Sequence, residues 1–212
     1  MAARRLRTLV YVDAFNLYYG CLKGTPYKWL DLARLCEAAL PPNDVVAIRY
    51  FTARVSARGT DASAPTRQQI YLRALATLPT VSVHFGQFAT HRVRLPLADP
   101  SPGGPRTAEV LRTEEKGSDV NLATAMLVDG FKGRFEAAVV VSNDSDLVAP
   151  IRAVREELGL VVGVLNPHHR TPSVLARHVD FVKPIRPSVV ARSQLPDQLT
   201  DAVGTITKPE RW

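Results

Sequence analysis

Residues 139–150 read VVVSNDSDLVAP, and this stretch decides the architecture. Three valines run into Ser142, Asn143, Asp144, Ser145 and Asp146, and the chain then turns apolar again. A short β-branched run bounded by turn residues predicts a buried strand. The apolar residues after Asp146 predict a helix over 147–158, ended by Gly159. Two carboxylates therefore stand where a buried strand passes into a helix.

Working outward, the same alternation recurs. Residues 8–12, TLVYV, predict a strand that ends in Asp13 and passes into helical sequence over 15–22. Helices are predicted over 29–40, 66–78, 118–131 and 173–178. Strands are predicted over 44–55, 81–89, 160–165 and 181–185, with 91–97 as a hairpin partner of 81–89. Residues 56–65 and the Pro- and Gly-rich stretch 98–107 read as loops. The alternation predicts an α/β domain with a mostly parallel sheet and helices on both faces. Residues 1–185 read as that domain. From Arg186 hydrophobic density falls and prolines recur, so 186–212 reads as a C-terminal tail or docking segment outside the core.

The chain has 212 residues, enough for a substantial single core. Lysine and arginine number 27 against 20 acids, a net charge of +7, which favours polyanionic partners such as nucleic acid. Cys21 and Cys36 are too few for a disulfide framework or a Cys-rich zinc site. The apolar run after the basic start stops at Asp13, too short for a signal peptide, and nothing approaches the roughly 18 apolar residues of a membrane span. The expectation is a cytoplasmic protein with no membrane contact. A homodimer could form through an edge strand or the tail.

In parallel sheets, ligands sit outside the carboxyl ends of the strands. Asp13, Asp144 and Asp146 follow strands, and Asp119 opens a helix after EEKGS. Asn16 lies one helical turn beyond Asp13. Each has an ordinary alternative. Asp119, Asp144 or Asp146 could cap a helix, and Asn16 could be a turn residue. Asp13 is harder to assign that way, because its neighbours are apolar and an unpaired carboxylate there is costly. Together the acids point elsewhere. Two charges about 4 Å apart repel by about 1 kcal/mol in water and about 4 kcal/mol at an effective dielectric of about 20. Four carboxylates in one cleft would take up protons or need a cation. All-oxygen donors suit Mg²⁺ or Mn²⁺, and carboxylate-held metals are a standard means of hydrolysing phosphodiesters. A basic surface around such a pocket would draw in the nucleic-acid backbone. Arg49, Arg54, Arg92, Arg94, Arg112 and Lys116 are candidates, and Lys116 stands out beside Asp119. It could touch a phosphate or merely offset Glu114 and Glu115.

Three segments in order, YVDAFNLYY (11–19), EEKGSDVNLATAML (114–127) and VVVSNDSDLVAPIRAV (139–154), resemble the NYN family of PIN-like nucleases, in its LabA-like branch. The resemblance covers most of residues 8–185. It implies a three-layer α/β/α PIN-like fold and metal-dependent RNA cleavage that leaves a 5′-phosphate and a 3′-hydroxyl. It implies that Asp13, Asp119 and Asp144 are metal ligands, with Asp146 a ligand directly or through water. Asn16 would be the partner of Asp13 in D-x-x-N, and Ser142 and Asn143 could orient a phosphate or a ligand. Many PIN domains carry a further acid on a helix. Glu37 is the candidate here, with no secure alignment. The stretch 98–107 exceeds what the fold needs and could shape substrate entry.

Two other readings compete. A non-catalytic RNA-binding or adaptor module with a vestigial site would use the same basic surface. A haloacid-dehalogenase-like phosphatase would want D-x-D after the first strand, where Phe15 stands instead of the second acid. Neither G-x-x-x-x-G-K nor G-x-G-x-x-G occurs. His168 and His169 could contact substrate from a loop, whereas His84, His91 and His178 have no metal-ligand spacing. Trp212 could dock on a partner or fray.

Overall fold

The computed structural model describes residues 4–57, 61–170 and 173–212. The strands are β1 (Leu6–Asp13), β2 (Asn43–Thr52), β3 (Val81–Phe85), β4 (Gln87–Pro96), β5 (Thr107–Lys116), β6 (Ala137–Val141), β7 (Val161–Asn166), β8 (Phe181–Pro184), β9 (Gln198–Asp201) and β10 (Gly204–Thr207). The helices are α1 (Ala14–Leu17), α2 (Leu32–Ala39), α3 (Ala64–Leu75), α4 (Ser118–Phe131), α5 (Val148–Arg152), α6 (Ser173–Ala176) and α7 (Pro187–Arg192). Single π-helical turns at Tyr18–Leu22 and Ala153–Glu157 extend α1 and α5.

Six strands form a sheet in the order β3-β2-β1-β6-β7-β8, and every pairing in it is parallel. Period-two alternation splits each central strand between two cores. Val10, Val12, Val139 and Val141 face α2 and α3. Leu9, Tyr11, Ala138 and Val140 face α4 and α5. All five residues of β6 are buried, as a strand covered on both faces requires. This is the three-layer α/β/α arrangement expected from the sequence.

From β1 the chain steps one way to β2 and β3. From β6 it steps the other way to β7 and β8. The order reverses between β1 and β6, and a crevice opens there at the carboxyl ends. Asp13 ends β1, and Ser142 follows β6.

The segment predicted as one strand over 81–89 is two strands. β3 closes the sheet edge, and β4 leaves the sheet after Gly86 to pair antiparallel with β5. The hairpin partner of β4 is therefore Thr107–Lys116, not a neighbour of β3. The expected loop EEKGS is thereby partly strand. Alternation of charged and polar residues in TAEVLRTEEK carries no buried face, which hides it from hydrophobic patterning. The loop predicted over 56–65 falls in part outside the described residues.

Residues 186–212 dock on their own chain, and the expectation that they lie outside the core is corrected. Val190, Leu195 and Ile206 are buried in the same cluster as Trp29, Leu30 and Tyr71. Trp29 Nε1 donates to the Pro196 carbonyl at 2.8 Å, and Arg73 Nε donates to Asp201 Oδ2 at 2.6 Å. Trp212 packs edge-on to Tyr71, with ring centres 5.2 Å apart. Apolar residues spaced irregularly among prolines give no helical or strand period, so burial here was not legible locally. Among the described residues, no helix is long and apolar enough to cross a membrane.

Candidate active site

Asp13 is 6% exposed and sits in extended backbone just before α1. Its Oδ1 accepts the Asn16 N–H at 3.0 Å, and its Oδ2 accepts the Ser142 hydroxyl at 3.1 Å. The Ser142 hydroxyl oxygen in turn accepts the Asp144 N–H at 3.1 Å. Asn16 Oδ1 accepts the Asn143 N–H at 2.9 Å. The ends of β1 and β6 are thus stitched by two side chains, Ser142 and Asn16, each bridging one segment to the other. Asp144 Oδ1 accepts the Asp146 N–H at 2.9 Å, which caps the turn Ser145–Leu147.

Capping and site-building are not alternatives here. Asp13 and Asp144 each cap a turn and each line the same cleft. An ionised carboxylate offers about four lone-pair sites, so one or two cap bonds leave acceptor capacity toward the cleft.

Asp119 enters from a third direction, in the first turn of α4. Gly117, with φ of 98°, supplies the left-handed turn that carries β5 into that helix. Glu115 caps the helix start, its Oε1 accepting the Ser118 N–H at 3.1 Å and its Oε2 the Ser118 hydroxyl at 2.6 Å. Glu115 also lines the cleft, and the sequence reading missed it as a site residue. Recognising residues 107–116 as a strand would have found it, because alternation separates Glu115 from Glu114 and Lys116. Gly86 makes room for it. A Cβ there would stand 2.3 Å from Glu115 Oε1.

The cleft holds about 690 Å³, within the range of small-molecule and substrate sites. Asp13, Asp119, Asp144 and Glu115 line it together. Burial raises the Asp13 carboxyl above its ordinary range despite the Asn16 and Ser142 hydrogen bonds, and the Asp144 charge adds to the rise. Burial pushes Asp119 up to about 6, with Asp13, Asp144, Glu115 and Asp146 contributing repulsion. Opposed carboxylates competing for charge are the electrostatic signature of a cation or proton site.

The other expected residues are placed as follows. Asp146 is exposed, and it bears on the site through its charge and its cap to Asp144. Lys116 is exposed on the face of β5 opposite Glu115, its ammonium 3.9 Å from Glu114, so it does not enter the cleft. Ser142 is buried and holds Asp13, while Asn143 binds Asn16 through its backbone and the Arg170 carbonyl through its side chain. Glu37 is exposed on α2 and does not line the cleft. Arg49 is not a free basic contact, since its guanidinium pairs with buried Asp129 at 2.6 Å. His168 does reach the cleft, and His169 does not.

Among the described residues no three His, Cys, Asp or Glu side chains are already drawn together at metal-binding spacing. The donor set nevertheless fits a hard divalent cation. It is all oxygen, it is shielded, and two of its members are disfavoured as anions by their surroundings.

The NYN-domain family model matches residues 7–185, the stretch that contains every acid described above. The chain belongs to the NYN domain family. A curated relative, 6-hydroxy-3-succinoylpyridine 3-monooxygenase HspA of Pseudomonas putida, is 32% identical over 98% of this chain and 75% of its own length. A solved protein of unknown function from Vibrio parahaemolyticus has a TM-score of 0.57 at 16% identity, covering 88% of this chain and 96% of its own. That second likeness is one of fold. The NYN domain accounts for the nuclease-like architecture, and HspA shows that relatives of this NYN protein bear the name of a different chemistry.

Proposed function

We propose that the protein is a metal-dependent ribonuclease of the cytoplasm that hydrolyses RNA phosphodiester bonds. The observation that carries this reading is the arrival of Asp13, Asp119, Asp144 and Glu115, from three segments, in one cleft at the point where strand order reverses. Asp13, Asp119 and Asp144 would hold Mg²⁺ or Mn²⁺, with Asp146 reaching it directly or through water. Such an ion supplies charge neutralisation and a water of lowered pKa at the phosphate.

The chain's own residues have separable roles. Ser142 and Asn16 fix the Asp13 carboxylate and the strand-end loop in register, so that Asp13 and Asp144 are placed before substrate arrives. Asp119, with its raised pKa, can carry a proton near neutral pH and pass it at its carboxyl oxygen. In hydrolysis a water oxygen bonds to phosphorus and the bond from phosphorus to the 3′ oxygen breaks. The leaving oxygen takes a proton, which gives a 3′-hydroxyl and a 5′-phosphate. The net charge of +7 favours approach of the RNA backbone.

The test is cleavage of labelled single-stranded and hairpin RNAs in Mg²⁺ or Mn²⁺, with EDTA and Asp144→Asn as controls. The reading expects cleavage lost in both controls. Cleavage that survives Asp144→Asn removes the site assignment. Binding of RNA with no cleavage by the wild type favours an adaptor role.

The name of HspA supports a second reading, mono-oxygenation of a pyridine. The cleft has aromatic walls at the end away from the acids, which suits a small ring. One oxygen atom of O₂ would enter the ring and the other would leave as water, with a two-electron donor required. Consumption of O₂ dependent on 6-hydroxy-3-succinoylpyridine and a reductant would establish it.

A further inference from the structure

The cleft is chemically divided. Its acidic end is the site described above. Its other end is lined by Tyr18, Tyr19 and Trp212, with Lys28 among the lining side chains. Three facts single out this end. Tyr19 lines the cleft yet is 59% exposed, an open aromatic face beside a partly enclosed space. Lys28 is half-buried and makes no ion pair among the described residues, in a chain whose other cleft cation, Arg67, is committed to Asp61. Trp212 comes from the segment beyond the family match and is wedged against Trp29 and Tyr71, so this wall is built by residues 186–212 rather than by the NYN domain.

Aromatic faces bind planar rings by stacking, and an uncommitted ammonium selects an anion beside the ring. We propose that this end of the cleft is a binding subsite for a planar heteroaromatic ring carrying an anionic group, with Tyr19 as the stacking face and Lys28 as the charge partner. In an RNA strand the ring is the base next to the phosphate held at the acids. In a free ligand it is a pyridine acid. The subsite shares the cleft with the ribonuclease reading but does not depend on it, because it needs no bond cleavage.

Calorimetric titration of the full chain in EDTA tests this with adenosine monophosphate, ribose 5-phosphate and pyridine-3-carboxylate. Binding of adenosine monophosphate alone assigns a nucleotide, and binding of pyridine-3-carboxylate alone assigns a small pyridine acid. Either result supports the subsite, provided ribose 5-phosphate binds at least about tenfold more weakly than the ring ligand. Tyr19→Ala, at an exposed position, should weaken the ring ligand by about tenfold with an unchanged melting temperature. Lys28→Gln should weaken adenosine monophosphate and leave uncharged adenosine unaffected. No ring binding, equal binding of ribose 5-phosphate, or unchanged affinity in Tyr19→Ala overturns the subsite. An RNA cleavage assay on the same preparation separates the two readings. Cleavage without ring binding removes only the subsite, and ring binding without cleavage removes only the ribonuclease.

Discussion

Asn16 Oδ1 accepts the backbone N–H of Asn143 across 127 positions of sequence, at 2.9 Å. One amide therefore ties the turn after β1 to the turn after β6. It does so beside Asp13, whose own carboxylate receives the Ser142 hydroxyl from the same loop.

Asn16→Ala leaves the Asn143 N–H without its partner. The expected loss of stability is about 1–2 kcal/mol. RNA cleavage should fall further than that loss explains, by about tenfold or more, because a 1 Å misplacement of the acids is costly. Asn16→Asp keeps the acceptor and should restore the melting temperature, but not full activity. Urea unfolding and single-turnover cleavage separate the two effects.

Asp119 gives a pH signature. Its folded pKa is raised to about 6, above its ordinary value of 3.8, so the folded state holds its proton more tightly than the unfolded state does. Below pH 3.8 both states are protonated and the site costs nothing. As pH rises from about 4 to about 6, the unfolded state releases the proton first and metal-free stability falls; above that the penalty is constant. Asp119→Asn should therefore stabilise the metal-free protein at pH 7, on the order of 1 kcal/mol after allowance for solvent screening. The gain should vanish near pH 4. Thermal melts across pH in EDTA check it.

Adding Mn²⁺ should reverse the penalty. Binding to the folded state alone stabilises by about 2.7 kcal/mol at a hundredfold excess over Kd. Asp144→Asn should abolish the Mn²⁺-induced rise in melting temperature while remaining folded in EDTA.

Asp129 is 1% exposed, and it accepts from Tyr11, Arg49 and Arg134 at 2.9, 2.9 and 2.7 Å. Asp129→Ala would leave two guanidinium groups facing each other over a buried hydroxyl. The expected loss is about 3–5 kcal/mol, measured by urea unfolding. Folded Asp129→Ala protein should keep its ring binding and its cleavage, since Asp129 lies outside the cleft.

Ile206 is 2% exposed and joins β10 to the main core. Ile206→Ala should cost about 2–5 kcal/mol. An unchanged unfolding midpoint would show that residues 186–212 are dispensable to the domain.

The sequence by itself determined the parallel α/β architecture and which aspartates stand at strand ends. Both follow from local rules. A β-branched run must be buried on both faces, and a polar residue that ends such a run is delivered to the sheet edge. Thus Asp13, Asp119 and Asp144 were legible as neighbours before any coordinates, and Ser118–Phe131 was legible as a helix. Tertiary structure decided the rest, because the deciding partner was far away in the chain. Glu115 joins the acids only because β5 pairs with β4, whose departure at Gly86 no local pattern marks. Lys116 turns away for the same reason, being one step along an alternating strand. Arg49 lost its basic role to Asp129, 80 residues on. Trp212 became a wall of the cleft because Trp29 and Tyr71 offer an aromatic surface that residues 186–212 bury. Periodicity reports what a segment buries. It cannot report against which distant segment, and that choice is where this site acquired its fourth acid and its aromatic end.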